Sequence, residues 1–508
     1  MTKDFLKIKT LGQLKASGYK PKAIKEEMRD NLVASYQKKT SLFLEVKGYE
    51  ETVLPQLETA ILSRHNVIFL GLRGQAKTRL ARLMINLLDE YIPAVAFSEI
   101  NDDPFQPLSR FAKDVVAERG DDTPIAWIHR SERYTEKLAT PDVSISDLIG
   151  DLDPIKAAAL KLTYADERVI HFGLIPRSHR NIFVINELPD LQARIQVALF
   201  NILQEGDIQI RGFKLRLPLD IQFVFTANPE DYTNRGSIIT PLKDRIDSQI
   251  LTHYPRSVEI SRQITEQEAR LTENQKKNIT INELLKILLE QVSFEARESE
   301  YIDQKSGVSA RLTISAYENL FSMAERRMLI NKEKKTFARV NDLFGVIPSI
   351  TGKVELVYEG ELEGISNVAY YLIGKTIRKE FEKLFPNPEK SKKNPKDPYK
   401  KIIDWFNDGN HIDVLNDSSL EEYKKALTSV PGLKEFVKAT IKPSEEEELL
   451  LYMEFVLHGL SEFSQLSKHK LDSGMQFKDL MSGMLNMEQD EEDGDLDEEG
   501  NPYGFSDN

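Results

Sequence analysis

Between Ser41 and about Pro255 the chain alternates short apolar runs with segments whose apolar residues recur every three to four positions. Val67-Ile68-Phe69-Leu70, Ile182-Phe183-Val184-Ile185 and Ile221-Gln222-Phe223-Val224-Phe225 are compact enough to be strands buried on both faces. Leu80, Leu83, Met84, Leu87 and Leu88 share one face of an amphipathic helix. Strand and helix in alternation predict an α/β core with a mainly parallel sheet over 41–255. Residues 1–40 are polar and helix-like, an N-terminal extension. From 256 to 350 the strand signal fades and helices dominate, as over Ile281–Val292 and Leu312–Met328, which predicts a helical lid. Residues 351–487 form a mostly helical region, broken at Pro386–Lys401 by four prolines and six lysines. That stretch has the makings of a polyanion site, but a solvated linker is the simpler reading. Ser444-Glu445-Glu446-Glu447 reads as a capping box opening a helix through Leu460. There is no internal repeat.

Composition refines this picture at the C-terminus. The net charge is −13, yet the last 21 residues hold ten Asp or Glu and no Lys or Arg. The body is therefore near neutral, and 488–508 predict a disordered acidic tail. The absence of cysteine excludes disulfides, iron–sulfur clusters and thiolate zinc sites. The eight histidines lack the spacing of a helical metal motif. A calcium loop on Asp495, Asp497, Glu499 and Gly500 fails because Ser506 falls where a bidentate Glu is needed. With no apolar signal-peptide core at the N-terminus and no run of about 20 apolar residues, a cytoplasmic protein without membrane insertion is expected. Negative charge likewise argues against nucleic acid as a partner.

The chemistry concentrates after the strand at 67–70. Gly71-Leu72-Arg73-Gly74-Gln75-Ala76-Lys77-Thr78 lies between that strand and the amphipathic helix, which is the context of a phosphate-binding loop. Backbone N–H groups along Gly71, Arg73, Gly74, Gln75, Ala76 and into Lys77, Thr78 and Arg79 are expected to cradle the phosphates of ATP. Lys77 is expected to reach the β- and γ-phosphates, and the Thr78 hydroxyl to bind Mg²⁺. Ala76 stands where the GxxxxGK[ST] pattern has its second glycine, and it fits without strain if its φ is negative. The strand at 182–185 ends in Asn186-Glu187, where such proteins usually carry Asp-Glu. Glu187 is the candidate general base. Asn186, on the Mg²⁺ side, offers an amide oxygen but no charge, which argues for slow hydrolysis or none. Asn228, at the end of the third strand, can hold the attacking water.

With these strand tips in order, residues 41–330 resemble an AAA+ ATPase, most closely the magnesium-chelatase I-subunit and MoxR branch. Ile145–Asp153 through Phe172-Gly173-Leu174-Ile175-Pro176 is similar to that branch's insert in the second helix. Ile208–Leu215 is similar to its hairpin before the third of these strands, and the Ala-Lys form of the loop resembles MoxR proteins. The resemblance implies that Arg245, in Pro241-Leu242-Lys243-Asp244-Arg245, is an arginine finger acting on a neighbouring subunit, with Arg235 its rival. It implies that Arg311, in Ser309-Ala310-Arg311-Leu312, opens a lid helix over the γ-phosphate. A ring, most naturally a hexamer, would follow. So would a remodelling or chaperone-like role on a partner with a von Willebrand factor A domain. Magnesium insertion into protoporphyrin and a non-hydrolysing nucleotide-dependent scaffold are the alternatives. A sigma-54 activator is disfavoured because neither a GAFTGA-like loop nor a C-terminal helix-turn-helix is present.

Overall fold

The computed structural model describes residues 5–163, 166–205, 207–210, 216–228, 237–391, 397–471 and 473–480. It forms two units, Met1–Tyr254 and Pro255–Asn508.

In the first unit β1 (Val67–Leu70), β2 (Tyr134–Leu138), β3 (Ile182–Asn186), β4 (Gln222–Ala227) and β5 (Ser248–Leu251) make one sheet, in the order β5-β1-β4-β3-β2. All four neighbouring pairs are parallel. Leu70 lies opposite Ala227 and Leu251, and Leu138 lies opposite Asn186, so the C-terminal ends form a common edge. In open parallel sheets ligands bind at that edge. The α/β core with a parallel sheet expected from the sequence, followed by a mostly helical region, is the one observed.

Side chains alternate across the sheet, as strand geometry requires. Helices α1 (Leu11–Ala16) and α2 (Ile24–Lys38) come from the expected N-terminal extension, and α2 is part of the core. Its Ile24, Met28 and Leu32 join Val67, Phe69, Val184, Val224 and Ile250 on one face, beside α3 (Val53–Leu62) and α4 (Lys77–Leu83). Ile68, Leu70, Phe183, Ile185, Phe223 and Phe225 face the other way, against α5 (Ala193–Glu205). Both faces being covered explains why these strands read as unbroken apolar runs. A buried ion pair locks α2 in place. Glu27 accepts hydrogen bonds from the two terminal guanidinium nitrogens of Arg133, at 2.6 and 2.8 Å, and Arg133 also donates to the Arg180 carbonyl.

Within the insert, Gly150–Leu152 pairs antiparallel with Ile170–Phe172 around a short helix at Pro154–Leu160. Gly150 has φ +119°, and a Cβ there would lie 2.3 Å from the His171 carbonyl oxygen, so only glycine serves. Around the hairpin expected over 208–215, Asp207–Gln209 pairs antiparallel with Arg216–Pro218, and residues 211–215 lie outside the described residues.

The second unit contains α7 (Glu283–Glu298), α8 (Arg311–Ile330), α9 (Ile365–Leu384) and α10 (Glu446–Glu462), with α6 (Thr240–Asp244) belonging to the first. A small antiparallel sheet of Ile412–Leu415, Gly474–Lys478 and Ser467–Leu471 accompanies them. One hydrophobic core runs from Ile279 to Phe477, so the segments expected as a lid and a separate C-terminal region share it. In the lysine- and proline-rich stretch the buried Tyr399 donates to the Pro386 carbonyl at 2.6 Å. One sequence expectation is corrected. The helix expected to start at Ser444 has Glu445 as its N-cap, and Ser444 instead donates its backbone N–H to Glu448 at 2.9 Å. Residues 392–396, Arg235 and the acidic tail lie outside the described residues.

Candidate functional site

β1 runs directly into the glycine loop, and α4 begins at Lys77. Gly71 is required by close approach: a Cβ would lie 2.0 Å from Thr252 Oγ1 and 2.2 Å from Gln75 Oε1. Gly74 has φ +75°. Ala76 has φ +55° and ψ +18°, left-handed rather than the negative φ that would have relieved it. For a residue with a Cβ this costs roughly 1–2 kcal/mol. Such strain persists where the surroundings fix the backbone. Here they do. Tyr49 donates to the Gln75 carbonyl at 2.9 Å, Thr252 to Gln75 Oε1 at 2.8 Å, and Tyr254 to the Arg73 carbonyl at 2.9 Å. Burial pushes the Tyr49 phenol above its usual range, so it remains a donor. Thr252 and Tyr254 follow β5, the strand beside β1, and Tyr49 precedes α3. None of these three belongs to a motif, and only the fold reveals them.

Lys77 is buried and donates to the Gly71 carbonyl, the Leu72 carbonyl at 3.0 Å and Asn228 Oδ1 at 2.8 Å. The loop lysine and the tip of β4 are therefore in direct contact. The next tip, that of β3, joins them through Thr226 of β4. Its hydroxyl donates to Asn186 Oδ1 at 3.1 Å and accepts from the Glu187 backbone N–H at 3.2 Å. Glu187 has φ +55°, a left-handed bend that turns the chain just past the end of β3.

Asn186 makes one contact that the sequence did not suggest. Its Nδ2 donates to Glu136 Oε1 at 2.6 Å. A carboxylate only accepts, so this bond fixes the amide with its nitrogen toward β2 and its oxygen toward Thr226. Glu136 is held in turn by Arg82 of α4, through Nε at 3.0 Å and a terminal nitrogen at 3.2 Å, and by the Tyr134 hydroxyl at 3.1 Å.

Thr78 is partly buried on α4, and Arg79 reaches Glu45 at 3.3 Å. Arg245 follows α6, pairs with the exposed Asp244 at 2.8 Å and lies 5.9 Å from the Phe200 ring centre. Arg311 is exposed at the start of α8 in the second unit, where its backbone N–H donates to Ser309 Oγ at 3.1 Å.

The side chains expected to hold a cation offer oxygen, which suits a hard ion: the Thr78 hydroxyl and the Asn186 amide. No cluster of three or more His, Cys, Asp or Glu able to hold a metal occurs among the described residues. Mg²⁺ at nucleotide sites needs no such cage, because substrate phosphates and water complete its octahedron.

Fold and site together bring a glycine loop on an inner parallel strand up against the polar tips of β4 and β3. No protein-family profile matches the sequence. Among solved structures the chain is similar to a predicted ATPase of Cytophaga hutchinsonii (18% identity, 72% of this chain and 98% of that one, TM-score 0.27). It is also similar to the BchI–BchD complex of magnesium chelatase (18% identity, 63% and 97%, TM-score 0.32). A third likeness is to NtrX of Brucella abortus (14% identity, TM-score 0.33), where the chain spans 55% of that protein and 57% of itself is matched. At this level of superposition the chemistry of the site rests on this chain's own residues. No helix among the described residues is long and apolar enough to cross a membrane.

Proposed function

We propose that the chain is an AAA+ ATPase of the magnesium-chelatase I-subunit and MoxR-like branch, which binds and hydrolyses ATP and uses the cycle to remodel or activate a partner protein. The observation that carries this reading is the 2.8 Å contact between Lys77 of the glycine loop and Asn228 at the tip of the adjacent strand. The carbonyl of Leu72 and the amide oxygen of Asn228, which accept from Lys77, can be replaced by anionic phosphate oxygens, which bind an ammonium group more strongly. Release of Lys77 would also free Asn228 to orient water. Glu187 takes the proton of that water as it adds to the γ-phosphorus, and the bond to the bridging oxygen breaks to give ADP and phosphate. Thr78 and Asn186 are the residues that would hold Mg²⁺, which when bound neutralises charge on the β- and γ-phosphates. Arg245 acts from a neighbouring subunit and Arg311 from the lid, so the site is complete only in a ring, which we take to be a hexamer. The partner we favour carries a von Willebrand factor A domain, and insertion of magnesium into a porphyrin is the narrower alternative.

The neutral Asn186 supports a second reading, a scaffold that binds nucleotide with little turnover. Single-turnover hydrolysis by the full chain separates the two. Phosphate release from bound ATP that is lost in Glu187→Gln supports the ATPase, while equal rates in both proteins refute the catalytic assignment. Co-purification with the full chain, followed by mass spectrometry, tests the partner class.

A further inference from the structure

The side chain at the metal side of β3 is neutral, but the position next to it is not. We propose that Glu136 of β2 supplies the negative charge that Asn186 lacks, so that the anionic group favouring the nucleotide-bound divalent cation has moved one strand along the sheet. This rests on the nucleotide-binding reading above and adds a residue to it.

Three observations place Glu136 at the site. First, it touches Asn186 directly, at 2.6 Å, although Val184 rather than Asn186 is its register partner; its side chain therefore leans toward the C-terminal edge. Second, it is tied to Arg82, which lies four residues after Thr78 on α4. Residues i and i+4 share a helix face, so the anchor holding Glu136 and the hydroxyl expected to bind the cation lie on one side of α4. Third, the charges of Glu136 and Arg82 do not cancel equally toward the interior. The Arg82 side chain is 64% exposed and that of Glu136 only 23%, so water screens the cation more than the anion. Arg82 thus acts as a clamp for orientation, while the field of Glu136 acts on the interior side, where Asn186 and Thr226 lie.

The same arrangement accounts for asparagine at 186. An aspartate there would set two carboxylates against each other at hydrogen-bond distance, and like charges so close do not both ionise readily. An amide donates to Glu136 on one side and keeps an oxygen for the site on the other. Glu136 is in these terms a positioning and electrostatic residue rather than a ligand. Residues that act behind a metal's direct ligands typically change metal affinity by roughly 10–100-fold when altered.

The test is the Mg²⁺ concentration that half-maximally tightens binding of a fluorescent ADP analogue to the full chain, with folding checked by circular dichroism. Glu136→Gln keeps an acceptor for Asn186 and removes the charge, so the midpoint is expected to rise by about tenfold or more. The exchanged pair Asn186→Asp/Glu136→Gln returns one carboxylate to the cluster on the other strand and is expected to bring the midpoint back to near the native value. An unchanged midpoint in Glu136→Gln overturns the proposal, as does a double variant no better than Glu136→Gln. If Glu136→Gln does not fold, the double variant alone decides, by a midpoint near to or far above the native one. Failure of the native protein to bind the analogue at any Mg²⁺ concentration refutes the nucleotide-binding reading instead.

Discussion

Asn186→Asp would place here the acid that phosphate-loop ATPases usually carry, and on sequence grounds alone it should strengthen the proposed site. The structure predicts the opposite for stability. The substitution removes a charge-assisted hydrogen bond to Glu136 at 2.6 Å, worth roughly 1.5–3 kcal/mol. It also places a second carboxylate at that distance. With an effective dielectric of about 20, two such charges held rigidly repel by roughly 6 kcal/mol. Side-chain movement, solvent and sharing of a proton absorb much of this, leaving a net loss of about 2–4 kcal/mol. For a unit of this size each kcal/mol lowers the melting temperature by about 2–4 °C. The assay is a thermal melt of native protein, Asn186→Asp and Asn186→Asp/Glu136→Gln at neutral pH. The single variant should melt roughly 5–15 °C low, and the double variant should recover most of the loss. A single variant as stable as native, or a double variant as unstable as the single, would refute the reasoning about this pair.

Glu187→Gln should retain ATP and accumulate assembled rings by size-exclusion chromatography, because the polarising carboxylate is lost while the loop is untouched. Arg245→Ala should be inactive alone yet partly active when mixed with a Lys77→Ala protein that still offers an intact Arg245; absence of rescue in verified mixed rings would exclude a finger in trans. His179 gives a pH prediction. Burial lowers its pKa to about 4, and its Nδ1 accepts from the Asp220 backbone N–H. An unfolded chain protonates near 6.5, so between pH 6.5 and 4 it binds more protons than the native protein, and stability falls as the pH drops through that window. The full effect is about 3 kcal/mol, and denaturant midpoints at pH 7 and 5 should converge in His179→Asn.

The strands and the loop were legible because both faces of the sheet are covered: consecutive apolar residues then mark β1, β3 and β4 without ambiguity. Lys77, Asn186, Glu187 and Asn228 were legible for a related reason, since each stands in or next to such a run, at the edge where parallel strands end. What sequence could not supply was lateral contact. Glu136 sits mid-strand in a polar stretch, and its nearness to Asn186 exists only once β2 is placed beside β3. Tyr49, Thr252 and Tyr254 hold the loop from segments 26 to 181 positions away and carry no motif. The backbone of Ala76 went the other way from expectation because these contacts, and not its own preference, fix its φ. Residues 1–40 looked peripheral since charged positions are as frequent as apolar ones in α2, yet Ile24, Met28 and Leu32 fall on one face, and the charged Glu27 is buried against Arg133.

The central claim is that Lys77 and the loop around it bind the phosphates of ATP. Equilibrium titration of the native full chain and of Lys77→Ala with Mg²⁺ and a fluorescent ATP analogue tests it most directly. Saturable binding by the native protein, weakened about 100-fold or more (roughly 3 kcal/mol, as for loss of a charged partner) in Lys77→Ala, is the predicted result. Binding that is absent from the native protein, or equal in the two, would contradict it.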